Sequence, residues 1–455
     1  MLFKFLTYVS PTNYFNLYRK NSTAVFPDWE ALPKNIQEKI KLNTAYSSVA
    51  ISKIDAAYQI IQKGFIGNVK TINFETQIPI EDEYRFIRTY FNKLWVYYIF
   101  ILRLVTFHNP FKEFNAFFKT RNVSQVNVFK EYVKYTECYS FKSKLLQQQP
   151  KISVIIPTLN RYKYLKDVLL DLEKQDYANF EVIVVDQSEP FQISFYDAFK
   201  LNLKVIHQKE KALWKARNTA IKTSTADYLL LFDDDSRVSV EWISNHLKCL
   251  DFFNAEISSG TSISVVGAKV PDSYAYFKMS DQLDTGNVLI KRTVFETIGL
   301  FDRQFEKQRM GDGEFGLRAY LAGYLNISNP TSERLHLKVQ SGGLRQMGSW
   351  DGMRPTNWFS PRPIPSVVYL FRTYFGNKLT FFALLKTVPP SLIPYKYKNQ
   401  PKMMLLGYML SLILLPLVLF QVYKSWRLAS VKLKEGALID ILRANALKKS
   451  YFCNN

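Results

Sequence analysis

Residues 228 to 235 read Tyr228-Leu229-Leu230-Leu231-Phe232-Asp233-Asp234-Asp235, an apolar run that stops at three acids. An apolar run of this length, entered just after Ala226-Asp227, predicts a buried strand of an α/β sheet. Three adjacent carboxylates repel one another and raise each other's pKa. A divalent cation removes that cost, because carboxylate oxygens suit Mg²⁺ and Mn²⁺. At the carboxyl end of a strand, such a site falls where open α/β sheets bind their ligands. Taken alone, the same residues read equally well as a solvated turn.

The flanking segments favour the first reading. Lys151 to Asn160 reads as a strand running into a loop through Pro157-Thr158. From Arg161 to Gln175, Leu165, Val168, Leu169 and Leu172 recur at helical spacing. Phe180 to Asp186 is a second apolar strand that ends in an acid, and Lys204 to His207 a short third one. Leu213 to Thr223 reads as a helix leading into the strand before Asp233. Such alternation, with nearly continuous apolar strands, predicts a parallel sheet with acids along one rim.

These segments resemble family 2 glycosyltransferases of GT-A fold, inverting enzymes that use nucleotide-sugar donors. The resemblance covers roughly Lys151 to Gly343 and implies a Rossmann-like α/β mixed sheet flanked by helices. By that resemblance Pro157, Thr158 and Asn160 lie against the nucleoside, Asp186 binds the base, and Arg217 of Lys215-Ala216-Arg217-Asn218 faces the nucleotide. Asp233-Asp234-Asp235 is similar to the D-x-D site, in which Asp233 and Asp235 hold Mg²⁺ or Mn²⁺ and Asp233 and Asp234 bind the nucleotide. Gly311-Asp312-Gly313-Glu314-Phe315-Gly316-Leu317-Arg318 is similar to the later motif that carries the catalytic base. Gly311 stands where the family usually has Glu, and alignment on Arg318 puts the base at Asp312, with Glu314 the second choice. A helix from Glu314 to Ala322 would set its positive end beside Asp312 and favour the ionised form. His336 is either an extra metal ligand or a core histidine. Arg345, beside Gly342-Gly343, is a candidate for closing over the diphosphate, and Trp350 and Trp358 for stacking on a sugar or packing. Gly286 to Arg292 resembles the strand beneath the acceptor site.

The chain of 455 residues exceeds one domain, and its net charge of +21 calls for an anionic partner. Neither zinc-finger spacing nor an aromatic RNA-binding signature is present, so nucleic acid is not the expected partner. Cys138, Cys249 and Cys453 are far apart, as in a reduced compartment, and the apolar start Met1 to Leu6 is short for a signal peptide.

Met403 to Tyr423 is nearly uncharged and Leu-rich, about 31 Å long as a helix at ~1.5 Å per residue. Pro416 and the basic residues on both sides leave it either a span or a re-entrant hairpin. Val367 to Leu392 reads as an interfacial amphipathic helix, and Leu94 to Phe107, interrupted by Arg103, as a core or interfacial one. The expected order is a mainly helical extension (1–148), the catalytic domain (149–348) and an acceptor-side or interfacial segment (349–402). A transmembrane or re-entrant helix (403–423) and a basic tail (424–455) complete it.

The expectation is an enzyme at the cytoplasmic face of a membrane. It would take a nucleoside-diphosphate sugar, UDP-sugar favoured, and a glycan or lipid-linked acceptor, for cell-surface polysaccharide or glycolipid synthesis. Two rivals are a nucleotidyltransferase and a non-catalytic membrane scaffold. The first lacks its glycine-rich phosphate loop between Pro157 and Lys163, and the second has no need of Asp186, Arg217, Asp233, Asp235 and Asp312 together. Gln346 to Trp350 has the outline of a processive Gln-x-x-Arg-Trp motif without its arginine.

Overall fold

The computed structural model describes every residue except 74–76, 265–269, 271, 340–352, 355–356, 395–396, 398–399 and 443–455. Two compact units make up the chain. A sheet unit comprises Tyr135–Ala275, Gln282–Gln346 and Gly436–Asn455; a helical unit comprises Met1–Lys134, Tyr276–Asp281 and Met347–Glu435.

In the sheet unit β1 (Ile152–Thr158), α1 (Tyr162–Glu173), β2 (Phe180–Asp186) and β3 (Leu203–His207) run outward from the centre. The chain then returns through α2 (Leu213–Thr223) to β4 (Tyr228–Phe232), which pairs with β1 on its other side. These four strands are parallel. Every residue of β1 and β4 is buried, the state that continuous apolar runs demand. Pro157 is tolerated in β1 because pairing with β4 has already ended at Ile155.

Beyond β4 the sheet becomes mixed. β5 (Ser236–Val238), α3 (Trp242–Phe253), β6 (Ile257–Ser264), β7 (Asn287–Lys291), α4 (Arg292–Ile298), α5 (Gly311–Leu321) and β8 (Asn326–His336) follow. The order across the sheet is β3-β2-β1-β4-β7-β6-β8-β5, with β7 antiparallel to β4 and β6, and β8 parallel to β6. The mixed α/β sheet flanked by helices is thus as expected. The path reverses between β1 and β4, so the crevice of the switch point opens beyond Thr158 and Asp233. A register shift between Gly260 and Ser262 lets Ser262 face Arg334 of β8.

The helical unit is held together by aromatic rings. Phe3 stacks on Phe86 at 3.8 Å, and Phe5 meets Tyr84 edge-on at 4.9 Å. Buried Glu83 accepts the backbone N–H groups of Lys4 (2.8 Å) and Phe5 (2.9 Å). Helices start where Ser48, Asn92 and Asn109 cap the first turns of Val49–Gln62, Lys93–Val105 and Pro110–Lys119.

Two expectations change here. The stretch after Ile364 forms one helix, Pro365–Thr387, broken at Gly376 where φ is 73°, and its Val367, Val368, Tyr369 and Leu370 are buried. Its first turns therefore lie inside the unit and are not interfacial. The Met403–Tyr423 run is not one straight helix. It is split between Pro401–Ile413 and Leu415–Glu435, which meet at 90°. Pro416 explains the break, since it has no N–H to continue the first helix and its ring collides with the preceding turn. Among the described residues no single helix is long and apolar enough to cross a membrane, and the bent pair qualifies by length and composition only.

Candidate active site

The three acids after β4 diverge. Asp233 and Asp235 converge with His336, one ligand atom from each lying within 4.8 Å of the others. His336 Nε2 is 3.3 Å from Asp235 Oδ1. Two ligand atoms bound at right angles to one cation at ~2.1 Å stand about 3 Å apart, so this oxygen–nitrogen pair has the spacing of neighbouring ligands. The carboxylate oxygens suit a hard divalent cation, and the imidazole nitrogen is a better ligand for a transition metal than for Mg²⁺. His336 is brought there by β8, which pairs with β5 so that His336 lies opposite Ser236. Burial favours the neutral acid at Asp235, but the hydrogen bond and charge of His336 hold it below the usual carboxylate range.

Asp234 turns the other way, towards β1. It accepts hydrogen bonds from Thr158 Oγ1 (2.8 Å) and Arg161 Nη1 (3.0 Å). Burial lifts its pKa to about 6 against the pull of Arg161. Asp234 and Thr158 were expected against the nucleotide; here they tie the ends of β1 and β4 together. Arg161 also stands 3.3 Å from Asp235 Oδ2 and donates to the carbonyl of Val339 (3.0 Å), bracing both sides of the crevice.

Arg217 was expected to face the nucleotide. It is fully buried and donates instead to Asp233 Oδ1 at 2.9 Å and to the Thr285 carbonyl at 3.1 Å. The other oxygen of Asp233 accepts from Arg334 Nη1 at 2.9 Å. Arg334 is itself fixed by Asp284 (2.8 Å), Ser262 (2.7 Å) and Ser236 (3.1 Å). Gly286 lies against this clamp: a Cβ there would meet Arg334 Nη1 at 2.1 Å and Asp233 Oδ2 at 2.2 Å.

Arg334 and Asp284 escape a sequence reading because a lone arginine in Ser332-Glu333-Arg334-Leu335-His336 looks like an exposed strand position. The available signal was the two-residue period, which puts Arg334 and His336 on one face.

At the end of β2, Asp186 is wholly buried. Its Oδ2 accepts from the phenols of Tyr162 (2.7 Å) and Tyr196 (2.8 Å), and its Oδ1 from the Ser188 N–H (2.9 Å). A base reaching this point meets two tyrosines and not a bare carboxylate. Asn160, at φ 54°, receives the Glu189 N–H on its side chain (3.0 Å) and so links the loops after β1 and β2.

Helix α5 begins at Gly311, earlier than the expected Glu314, which places Asp312 in its first turn. Gly311 sits against the Trp214 ring, where a Cβ would come within 2.4 Å. Trp214 lies beneath the Arg217 guanidinium at 5.3 Å, so contacts run from Gly311 through Trp214 and Arg217 to Asp233. Asp312 Oδ1 accepts the Gly313 N–H at 2.8 Å. Glu314 does not suit the role of base. It is buried, and Arg318 takes both its oxygens, at 2.7 and 2.9 Å. Arg345 and Trp350 lie outside the described residues. Trp358 lies in the helical unit and is exposed.

Residues 153–313 match the model of glycosyl transferase family 2. Over 130 residues the chain is 33% identical to the poly(ribitol-phosphate) beta-N-acetylglucosaminyltransferase TarS of Staphylococcus aureus, covering 27% of this chain and 23% of that one. Over 202 residues it is 26% identical to the glycosyltransferase AglE of Haloferax volcanii, covering 38% and 63%. The chain thus spans about a quarter of TarS and somewhat under two thirds of AglE. Among solved structures, residues 1–349 of S. aureus TarS in complex with UDP-GlcNAc align at 19% identity and a TM-score of 0.43, over 63% of this chain and 92% of that one. The acid cluster, the Trp214–Arg217 helix and Asp312 all fall inside the segment that matches glycosyl transferase family 2.

Proposed function

We propose that this chain is an inverting, metal-dependent glycosyltransferase, moving one sugar from a nucleoside-diphosphate donor to an acceptor hydroxyl in the synthesis of a surface polysaccharide or glycolipid. The observation that carries the reading is the convergence of Asp233, Asp235 and His336 at the sheet's switch point, inside the family-matched segment. Relatives that share the segment are named for sugar transfer.

Asp233, Asp235 and His336 would hold a divalent cation, which would supply positive charge where the diphosphate departs. Arg217 and Arg334 fix Asp233 in the orientation that this requires. Arg161 holds Asp235 from behind, and Thr158 keeps the β1 and β4 ends in register. Asp312 accepts the proton of the acceptor hydroxyl as its oxygen bonds the anomeric carbon and the bond to phosphate breaks. One positioned carboxylate suffices for inversion and contributes about 10²–10⁴-fold. Asp186, with Tyr162 and Tyr196, forms the base end of the site. A uridine donor is favoured, because its imide N–H can donate to a phenol oxygen or, with a tyrosine displaced, to Asp186.

The test is thermal shift of the whole chain with UDP, GDP, TDP or CDP, each with and without Mn²⁺. A selective, Mn²⁺-dependent rise with UDP is expected. A rise that ignores Mn²⁺ refutes the metal site, a rise selective for another nucleotide refutes the uridine donor, and no rise refutes the donor site.

A further inference from the structure

The helical unit exposes a second feature that the chemistry of the sheet unit does not use. Helices Lys93–Val105 and Pro110–Lys119 fold back on one another, with Phe100 at 5.0 Å from Phe114 and Tyr97 at 5.5 Å from Phe117. Only part of this hairpin faces the protein. Val96, Ile99, Ala116 and Phe117 are buried, and buried Glu113 pairs with Arg103 at 2.7 Å. Leu94, Tyr97, Ile101 and Val105, spaced three and four residues apart, form an exposed apolar stripe. Phe107 in the connecting turn is 97% exposed, and Phe111 just beyond it 84%. At ~150–250 Å² for a whole phenylalanine side chain, these two alone reach the few hundred Å² at which an exposed apolar patch marks an interaction surface.

Charge and neighbours define the occupant. Residues 93–121 carry five lysines and arginines against one acid; Lys112 is exposed beside the apolar tip, and Lys93, Lys119 and Arg121 at the far ends of the two helices. The bent pair Pro401–Glu435 has the same composition, again five basic residues against one acid. It adjoins the hairpin, with Tyr98 6.1 Å from Tyr408, and exposes a stripe of its own at Leu405, Met409, Leu412 and Ile413. Exposed basic residues behind an apolar, aromatic tip fit an interface whose surface is anionic and whose interior is hydrocarbon.

We infer that the Lys93–Lys119 hairpin is a bilayer-inserting element, which seats the helical unit on an anionic lipid surface with Phe107 and Phe111 entering the acyl region and Lys93, Lys112 and Lys119 meeting the headgroups. It enters one leaflet only, since neither helix is long enough to cross. The membrane contact therefore does not depend on a span through Met403–Tyr423.

Flotation of the full chain with phosphatidylcholine vesicles, and with vesicles that also contain phosphatidylglycerol, tests this. Binding is expected to the anionic vesicles and to weaken in high salt. The double variant Phe107→Asp, Phe111→Asp should lower it at least about tenfold while leaving the circular-dichroism melting curve in place, because both side chains are solvent-exposed. Phe107→Trp should still float, and the fluorescence of the introduced indole should be quenched by bromine on the acyl chains. Undiminished flotation of the double variant, or an introduced indole that acyl bromine does not quench, overturns the proposal. So does a vesicle-independent dimer that the double variant dissociates, which would make a second copy of the chain the occupant.

Discussion

The two units treat apolar side chains in opposite ways. The sheet unit buries them: β1 and β4 are closed to solvent, β2 is so from Glu181 on, and what faces the crevice is charged. The helical unit has a full aromatic core around Phe3, Tyr84 and Phe86, yet still presents Phe107, Phe111, Leu412 and Ile413 to the outside. A sheet has two faces and can hide both beneath helices, so its apolar content is spent on folding. A helical unit with more apolar faces than it can pack against itself holds some in reserve for another surface. The first unit organises charge for chemistry, and the second leaves area for contact.

The largest effect that tests this division is on turnover. Asp312→Asn should lower transfer by about 10²–10⁴-fold while leaving nucleotide affinity close to the parent. It should leave vesicle binding untouched, whereas Phe107→Asp with Phe111→Asp should do the reverse on soluble acceptors. Steady-state kinetics beside flotation would show it. A variant that damages both properties would break the division of labour.

Much of the sheet unit was legible because its strands are almost wholly apolar and end in acids. β1, β2, α2 and β4 lie within a residue or so of their expected places, and the clustering of Asp233 with Asp235 follows from strand direction. What could not be read is what happens when a charge is buried. Arg217, Asp186 and Asp234 looked like groups that meet a ligand, and each is occupied by a protein partner on another element: Asp233, Tyr196 and Arg161. Arg334 was invisible for a related reason, since it stands 101 positions beyond Asp233 with no local pattern to link them. The helical unit was poorly legible because amphipathic periodicity marks an apolar face without saying what covers it. Val367 to Leu370 went inside, and the turn at Phe107 went outside.

Breaking the clamp on Asp233 gives the next effect. Arg334→Leu leaves Asp233 and Asp284 short of a buried cation, a change that typically costs about 3–5 kcal/mol. Its melting temperature should fall and its Mn²⁺-dependent nucleotide shift should vanish. Arg334→Lys should recover most of the stability but little of the metal dependence, because one ammonium cannot reproduce a planar fork between two carboxylates. Equal recovery of both would show that Arg334 supplies charge without orientation.

Gly286→Ala is a smaller, purely steric probe of the same place. Its Cβ falls within 2.2 Å of both members of the clamp, so one must move. The expected cost is about 1–3 kcal/mol, with weakened Mn²⁺ binding in calorimetry. An alanine with parent-like metal affinity would mean that the clamp tolerates displacement, and that its contribution lies in stability alone.

The smallest effect is on pH, where α3 of the sheet unit and the Ile80–Tyr90 helix of the helical unit should respond with opposite sign. His246, buried in the sheet unit between Ser258 Oγ (2.9 Å) and Asn287 Oδ1 (3.1 Å), has its pKa pressed down to about 4 by burial. It is neutral when folded and takes a proton on unfolding below about 6.5, so its contribution is complete above that pH and drains away as pH falls towards 4. Glu83, in the core of the helical unit, is lifted to about 7 by burial against the pull of the Phe5 and Lys4 N–H groups. Its contribution is complete below about 4.5 and is lost as pH rises through 7. Hydrogen exchange of the full chain, read peptide by peptide and corrected for intrinsic rates, separates the two. Between pH 5 and 7, peptides of α3 should gain protection, and peptides of Ile80–Tyr90 should lose it. Glu83→Gln should flatten the second slope only. Parallel slopes in both units would mean that one global opening governs the whole chain, and the contrast between a unit built for chemistry and one built for contact would then have no counterpart in stability.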